Sequence, residues 1–373
     1  MFNTRAFQAY VIPISAYLSI SIAGGYGTGR EVVEFYTQYG VYEGIFGMIA
    51  SAISISVLTA FTFELARQTK AYDYRTYFKF LIGPFWVIFE LLYLSLMLLV
   101  LAVVGSAAGA MIAEHSLIPE KLGLLIMLAL ISVLTFYGRE LIQKVMVYLT
   151  VLLFFAFILY FIFIFADNGN AITQQLTNAP FPSRLDWLLP ASKFTLYSAP
   201  AAAFILFSTR GIKTRKEALF SGGLCGVLYL TPGLLFHISF LGDLAEVTTQ
   251  QVPVHWMINN LNNNILLPIY LLAMIGTFLG TGAGFIQALN ERLDKWSLEK
   301  LGRVLTPSTH SIVAMTGLSI SALFGQLGII ALIAKGYGTL AWGFLFVFVL
   351  PVLIIGMKRI VLSTKADIET PAS

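Results

Sequence analysis

The stretch 21–34, S-I-A-G-G-Y-G-T-G-R-E-V-V-E, interrupts the first long apolar segment of the chain. Glycine fills four of the six positions from 24 to 29 (Gly24, Gly25, Gly27 and Gly29), and each glycine weakens a helix by about 1 kcal/mol. We therefore expect a helix that is broken at mid-membrane depth. Lipid cannot satisfy the freed N–H and C=O groups, so such a break has to line a wet cavity or be buried in protein. The stretch thus predicts a binding site.

The composition of the 373-residue chain is that of an integral membrane protein. Hydrophobic residues make up 58% and charged residues only 11%, whereas a soluble domain has about 25% charged residues. The mean hydropathy is +0.82. The single cysteine, Cys225, excludes an intramolecular disulfide. The net charge of +4 comes from basic loop residues that set topology, so the lipid bilayer is expected as a partner and nucleic acid is not.

Ten segments are apolar enough to span a bilayer, because a spanning helix needs about 20 apolar residues. They cover residues 8–35 (interrupted), 41–66, 84–113, 121–137, 142–166, 191–209 (interrupted), 217–241, 264–290, 311–334 and 338–357, with the boundary between the last two left open. The sequence therefore predicts an all-α integral membrane protein with ten transmembrane helices.

The ten segments divide into two halves of nearly equal length. Residues 1–166 and 191–357 each hold five spans, so the second half must lie inverted relative to the first. The polar, proline-containing stretch 167–190 is expected to be an extracellular connection, and 358–373 a cytoplasmic tail. With both termini inside, 18 of the 23 lysines and arginines fall in cytoplasmic segments, as the positive-inside rule requires.

The sixth segment, which opens the second half, is also interrupted, at Tyr197-Ser198-Ala199-Pro200. Proline lacks the N–H donor and clashes with the preceding turn. Corresponding interruptions in two inverted halves point to the midplane site of a secondary transporter. The alternative is that the glycines and the proline merely kink two ordinary membrane helices.

The first interruption is suited to both charges of a small zwitterion. The half-helix that starts near Thr28 directs N–H groups into the cavity, where they suit an anion such as a carboxylate. Free carbonyls at positions 23–25 could coordinate a cation. An amino acid or a similar small metabolite meets both demands.

Three charged residues follow the glycines, and a fourth lies near the start of the third segment. Arg30 and Glu31 are adjacent and point to different sides, whereas Arg30 and Glu34 are one turn apart and can pair. Charges inside a membrane are costly and mark function. We predict gating or coupling roles for these three and for Glu90. The alternative is that they lie at the water boundary.

Two other stretches have patterns with two interpretations. Thr277 and Thr281 lie one turn apart on the eighth segment, where their hydroxyls could ligate sodium or belong to a small-residue packing seam. Residues 254–261 carry apolar residues at helical spacing, which indicates a short helix that caps the cavity or anchors at the headgroups. No zinc-ligand spacing, phosphate-binding loop or Ser/His/Asp arrangement is found, so an enzyme is not expected.

The stretch G-G-Y-G-T-G-R-E-V-V-E-F-Y, followed by Gly40, Gly44 and Gly47, resembles the start of the YkvI-like family of bacterial membrane proteins. That family belongs to the amino acid–polyamine–organocation superfamily, whose LeuT-type fold is a five-plus-five inverted repeat. The resemblance implies a protein of the bacterial plasma membrane. It also implies that the solute lies between the broken first and sixth helices, flanked by the third and eighth.

The resemblance assigns roles to individual residues. A carboxyl group of the solute would be held by Gly25, Tyr26, Gly27 and Thr28 next to Gly24, and its amino end by Tyr197, Ser198 and Ala199. A sodium ion, the one expected cofactor, would be bound by the Ser21 and Gly24 carbonyls and by Thr277 and Thr281. Sodium-coupled relatives often have two adjacent hydroxyl residues on the eighth helix, whereas here Gly280 precedes Thr281.

The function predicted from these features is secondary active transport of a small amino-acid-like or amine solute by alternating access. Sodium coupling is favoured over proton coupling. The alternative is a nutrient-sensing receptor subunit of the spore-germination type, which shares the ten-helix plan and binds an amino acid without carrying it. Flux of the bound solute separates the two functions.

Overall fold

The computed structural model describes residues 4–22, 26–136, 139–261, 265–303 and 305–359. Within these ranges every regular element is helical and no strand occurs. The α-helices are α1 (Ile12–Ser21), α2 (Arg30–Phe35), α3 (Val41–Thr69), α4 (Tyr74–Ile82), α5 (Trp86–His115), α6 (Glu120–Phe136), α7 (Arg139–Asn178), α8 (Leu188–Ser198), α9 (Ala201–Phe204), α10 (Arg215–Phe240), α11 (Leu244–Val247), α12 (Pro253–Asn260), α13 (Leu266–Leu301), α14 (Pro307–Gly325), α15 (Ile329–Ala331) and α16 (Gly338–Phe344). A π-helical turn, Phe7–Val11, precedes α1, and another, Leu332–Tyr337, joins α15 to α16.

Six helical segments in the described ranges are long and apolar enough to cross a membrane, by length and composition. They are Val41–Thr69, Tyr74–His115, Val151–Asn178, Arg215–Val247, Leu266–Leu301 and Ile329–Arg359. The chain is therefore a multi-pass, all-helical membrane protein. The count of ten spans in two inverted halves stays a prediction.

The first apolar segment is interrupted where the glycines predict it. Helix α1 ends at Ser21 and α2 begins at Arg30. Gly29 precedes α2 with φ of 80°, a left-handed conformation that side chains with a Cβ rarely adopt. A Cβ at this position would also lie 2.6 Å from Phe240 Cζ. The chain thus enters α2 through a turn that only glycine fits without strain.

The sixth segment is interrupted at the expected position, but its helix tightens there and does not unwind. Helix α8 ends at Ser198, and α9 begins after Pro200. The backbone at Ala199 and Pro200 stays in the right-handed region, and the next bonds run from Ala202 N to Ala199 O (3.1 Å) and from Ala203 N to Pro200 O (2.9 Å). These are 3₁₀-type bonds, and a 3₁₀ helix continues through Leu206–Gly211. The break is therefore a tightening of the helix, which leaves fewer bare peptide groups than an unwound stretch.

Helices α3 and α10 form a close antiparallel pair with glycines at the contact. A Cβ on Gly226 would lie 2.4 Å from the carbonyl oxygen of Ala52, and a Cβ on Gly222 would lie 2.5 Å from Ala60 Cα. Ser56 Oγ donates a hydrogen bond to Gly223 O at 2.6 Å. The two helix axes approach closely because glycine has no side chain, as in other membrane helix pairs. The closely packed pair of α3 and α10 lies beside the interrupted helices.

Several helix ends differ from the predicted spans because polar residues can extend a helix beyond the apolar core. Helix α7 continues to Asn178, so the first half of the predicted connection 167–190 is helical, and α13 continues past residue 290 to Leu301. The ninth span ends early, since α14 stops at Gly325 and the next segment starts at Ile329 after Gly328 with φ of 79°. The amphipathic helix α4, with Asp73 accepting from Thr76 N at its start, was not predicted.

The helix bundle has two ends, which we call the basic end and the cap end after the residues that lie there. At the basic end, Arg5 pairs with Glu217 at 3.0 Å, and Arg67 reaches the carbonyl of Lys213. The cap end holds α11, α12 and the last turn of α5 with Glu114. The interrupted first segment runs from the basic end toward the cap end.

Candidate functional site

A cavity of about 70 Å³ lies between the two interrupted segments. It is bounded by α1, α2, α8 and α9, by α5, α10 and α13, and by the segment that follows α15. Its lining residues are Ile20, Ser21, Glu31, Leu96, Val100, Tyr197, Ser198, Ala201, Phe204, Tyr229, Phe285 and Tyr337. A cavity of this size admits several waters or a small solute.

Glu31 places a carboxyl group in this cavity and joins the two interrupted segments. It sits on the first turn of α2, is 5% exposed, and accepts a hydrogen bond from Tyr197 Oη at 2.7 Å. A carboxylate near a helix amino terminus is favoured by the helix dipole. The predicted gating residue Glu31 and the predicted solute-binding residue Tyr197 therefore belong to one site.

Two serine hydroxyls complete the polar lining. Ser21 Oγ at the end of α1 and Ser198 Oγ at the end of α8 are buried and find no hydrogen-bond partner of good geometry in the described part of the chain. An unsatisfied buried hydroxyl costs about 1–3 kcal/mol. Both hydroxyls are thus available to a bound solute.

The five predicted solute-binding residues before Arg30 do not share the cavity lining of Tyr197 and Ser198 as far as the structure describes them. Tyr26 Oη donates to Tyr229 O at 2.7 Å, the carbonyl of Gly27 accepts from Tyr270, and Thr28 Oγ1 accepts from Arg30 N at 3.2 Å. None of these three lines the cavity. Gly24 and Gly25 lie outside the described residues. Their predicted contact with a carboxyl group stays a prediction.

Ala199 is buried but does not line the cavity, whereas its neighbour Ser198 does.

The predicted sodium ligands do not lie in one common environment. Ser21 lines the cavity, whereas Thr277 and Thr281 of α13 do not. Thr277 Oγ1 donates to Ala273 O within α13 at 2.8 Å, and Gly282, next to Thr281, packs against Ile131 of α6. These contacts are typical of the packing seam that was the alternative interpretation of this face.

Arg30 and Glu34 form an ion pair at 2.8 Å on the side of α2 that faces away from the cavity, as their spacing predicts. Arg30 also donates to the carbonyls of Thr248 and Gln250 at 2.8 and 3.1 Å. The guanidinium thereby ties α2 to the loop that leads into α12, at the cap end.

Glu90 lies on the basic-end side of the cavity, six residues before Leu96 on α5. Its carboxylate pairs with Arg292 of α13 at 3.2 Å. The Arg292 guanidinium lies 3.9 Å from the ring centre of Tyr93, whose ring is 4.2 Å from that of Phe204. An aromatic and ionic layer therefore closes the cavity on this side.

The predicted short helix over residues 254–261 is present as α12, and it covers the first interruption. Val254 N donates to Thr28 O at 3.1 Å. His255 Nε2 lies 2.7 Å from His115 Nε2, and His255 Nδ1 lies 2.8 Å from Glu114 Oε2. The cap is thus anchored to both α2 and the end of α5.

Burial lowers the pKa of His255 below its usual value of 6.5, against the opposing effect of Glu114, while His115 lowers it further. Tyr270 stacks on its other side. A folded-state pKa below the unfolded value means that the unfolded chain binds more protons between the two values. The contribution of His255 to the free energy of unfolding is therefore complete above pH 6.5 and decreases as the pH falls below 6.5.

We expect the thermal midpoint of the purified protein to fall as the pH drops below 6.5, and His255→Gln to flatten this profile. The replacement removes the titrating imidazole, and His310→Gln at the basic end serves as the control. The midpoint is measured against pH for all three proteins. A wild-type profile retained in His255→Gln contradicts the assignment.

Much of the lining could not be identified from the sequence. Tyr229, Phe285 and Tyr337 reach the cavity from α10, α13 and the segment after α15. Aromatic residues are common throughout this chain, at 14%, so their presence alone carries no signal. Only their position in the fold assigns them to the site.

Comparison with known proteins supports the architecture. No protein-family model matches the chain. The uncharacterized membrane protein YkvI of Bacillus subtilis is 26% identical over 283 residues, which cover 75% of this chain and 80% of YkvI. The chain is therefore homologous to a YkvI-like membrane protein, as its first-segment motif suggests.

Solved structures with a similar fold are transporters, not enzymes. A Na⁺-coupled sialic acid symporter in a substrate-bound outward-open state aligns with a TM-score of 0.60 at 12% identity, over 92% of this chain and 78% of the symporter. A manganese transporter of Eremococcus coleocola aligns with a TM-score of 0.59 at 12% identity, over 93% of this chain and 78% of the transporter. The fold of the chain is therefore similar to that of these LeuT-like transporters.

Proposed function

We propose that the protein is a secondary active transporter that moves a small amino-acid-like or amine solute by alternating access. The observation that carries this proposal is the cavity between the interrupted segments, where Glu31 of α2 meets Tyr197 of α8. Interrupted helices that meet at a cavity are the general form of a secondary transporter site. Movement of either segment would open or close this cavity.

The proposal includes ten spans in two inverted halves, both termini in the cytoplasm, and membership of the amino acid–polyamine–organocation superfamily. Its location is the bacterial plasma membrane. The six long apolar segments and the LeuT-type fold support this topology. The lysine and arginine distribution supports the orientation.

Two ion pairs are suited to act as gates. Arg30 and Glu34 tie α2 to the cap end, and Glu90 and Arg292 tie α5 to α13 on the other side of the cavity. Opening toward either end requires one of these contacts to loosen. The gating roles predicted for Arg30, Glu34 and Glu90 remain part of the proposal.

Sodium is the proposed coupling ion. The symporter of similar fold is Na⁺-coupled, which supports this proposal. Thr277 and Thr281 would have to turn from their helical seam to take part. Proton coupling is the alternative.

Purified protein in liposomes should accumulate its solute when an inward sodium gradient is imposed, and Gly27→Leu should lower the uptake by about tenfold or more. A Cβ on Gly27 already lies 3.3 Å from Met274, so leucine would force the first interruption away from α13. Gly27→Ala meets only this flexible side chain and is the control. Undiminished uptake by Gly27→Leu refutes the site assignment, and binding without uptake by the wild-type protein favours a receptor.

A further inference from the structure

Resting on the proposed function, we infer that the solute in the cavity is a small organic ammonium ion that carries no carboxylate, and that Glu31 is its counter-ion. This narrows the solute class and excludes the amino acid zwitterion expected from the sequence. Four features of the cavity carry the inference: its charge, its hydroxyl groups, its rings and the positions of the basic residues around it.

The first feature is the buried carboxyl group. Glu31 is 5% exposed, and its side chain lines the cavity while Tyr197 donates to one of its oxygens. A carboxylate buried away from water is costly unless it is paired with a cation. A positively charged solute bound in the cavity would be the cation that pairs with Glu31.

The second feature is a pair of serine hydroxyls that make no well-aligned hydrogen bond among the described residues. Ser198 is 6% exposed and lies near the Tyr229 hydroxyl, and Ser21 lies near the Tyr17 hydroxyl, so each serine oxygen can still accept a hydrogen bond from a solute. A primary ammonium has three N–H donors and no acceptor. Glu31 and the two serines offer three oxygen acceptors around one cavity, so each donor has a partner.

The third feature is the aromatic and apolar remainder of the lining. Tyr197, Tyr229, Tyr337, Phe204 and Phe285 place five rings at the cavity. Ring faces attract organic cations, and the apolar surface accommodates a short hydrocarbon group. A divalent metal is less suited, because the described lining offers one carboxylate and no histidine or cysteine ligand. The lining therefore favours an organic cation.

The fourth feature is the position of the basic residues. None of the lining residues in the described ranges is basic. Arg30 is held by Glu34 and two carbonyls, Arg292 is held by Glu90, and the Lys193 side chain packs beside Gly338. A solute carboxylate would therefore lie next to the carboxyl group of Glu31, with no basic side chain of the described lining to pair with it.

In the described part of the turn before α2, two N–H groups are not free to bind a carboxylate either. Gly29 N donates to Tyr26 O at 3.0 Å, and Arg30 N donates to Thr28 Oγ1. These N–H groups are used within the turn. An amine and its amino acid counterpart should therefore differ strongly in affinity, although they share the same ammonium group.

The test compares such pairs with the purified wild-type protein at constant sodium concentration, using isothermal titration. Each amine is matched with the amino acid of the same side chain and with the neutral alcohol of similar shape: ethylamine, alanine and ethanol; isobutylamine, valine and isobutanol; isopentylamine, leucine and isopentanol. We expect at least one amine to bind about 100-fold or more tightly than both of its counterparts.

An amino acid that binds as tightly as its amine, or an alcohol that does so, overturns the inference, and so does failure of every amine to bind. The proposed function is judged separately by uptake into liposomes. Sodium-driven uptake of an amino acid would leave the carrier function in place while excluding the carboxylate-free solute. Absence of uptake for a ligand that binds would remove the carrier function alone.

Discussion

Replacing Glu31 by glutamine is expected to lower the affinity for the ammonium solute by roughly 150- to 5,000-fold, because removing one partner of a buried charge pair costs about 3–5 kcal/mol. Glutamine keeps the shape of the side chain and can still accept from Tyr197. The change therefore removes the negative charge and little else. The loss is measured by isothermal titration with the tightest-binding amine, and uptake into liposomes should fall in parallel.

Glu299→Gln provides the matched control for this substitution. Glu299 is an exposed carboxylate on α13 that pairs with Arg75 at 3.0 Å, far along the helix from Phe285 at the cavity. The same chemical change at this position should leave amine affinity unaltered. Wild-type affinity in Glu31→Gln contradicts the role of the carboxylate as counter-ion, provided that the variant elutes as a folded monodisperse protein.

Gly226→Val is expected to prevent folding. The new Cβ alone would lie 2.4 Å from Ala52 O and 2.6 Å from Ser56 N, and both are backbone atoms of α3 that cannot move aside independently. Overpacking of a close interface costs typically about 1–3 kcal/mol, and more where backbone has to shift. Because α3 and α10 would separate along much of their length, we expect loss of monodisperse protein on size-exclusion chromatography.

Gly223→Val distinguishes this contact from a general effect of valine in a helix. Gly223 lies on the same helix three residues earlier, and a Cβ there would have no atom within 4 Å. The two substitutions change helix propensity equally, but only the side chain at position 226 would clash with α3. We expect Gly223→Val to be purified with a thermal midpoint close to that of the wild type. Equal loss of protein for both variants would show that the α3–α10 contact is not the cause.

The sequence predicts the features of this fold that depend on local composition. Glycines at 24–29 and proline at position 200 indicate where two segments are interrupted, and the adjacent positions of Arg30 and Glu31 predict that they face different sides. Both features are present, since α1 ends at Ser21 and Arg30 pairs with Glu34 while Glu31 faces the cavity.

The chemistry of the site depends on contacts between distant residues and is not visible in any single stretch. Glu31 and Tyr197 are 166 residues apart in the chain, and their hydrogen bond decides that Glu31 belongs to the solute cavity. The form of the second interruption was also hidden, because proline indicates a missing donor but does not determine whether the chain unwinds or tightens into a 3₁₀ turn.

Helix ends were predicted from apolar residues alone, which explains the errors in their positions. Residues 167–178 of α7 are largely polar and still helical. Thr173 and Thr177 donate to carbonyls four residues earlier, and no proline occurs between positions 119 and 180. Helix α13 ends at Gly302, whose φ of 70° stops the helix, and not where its apolar face ends.

Alternating access requires that the cavity between the two interrupted segments is reached in turn from the two sides of the membrane. The accessibility of a cysteine at position 198 reports this. Ser198→Cys is made together with Cys225→Ser, so that the buried native thiol does not interfere. A membrane-impermeant thiol reagent is then applied to the inside or the outside of sealed vesicles, with and without the solute. The account predicts labelling from both sides and protection by the solute in each case; labelling confined to one side, or unaffected by the solute, would contradict it.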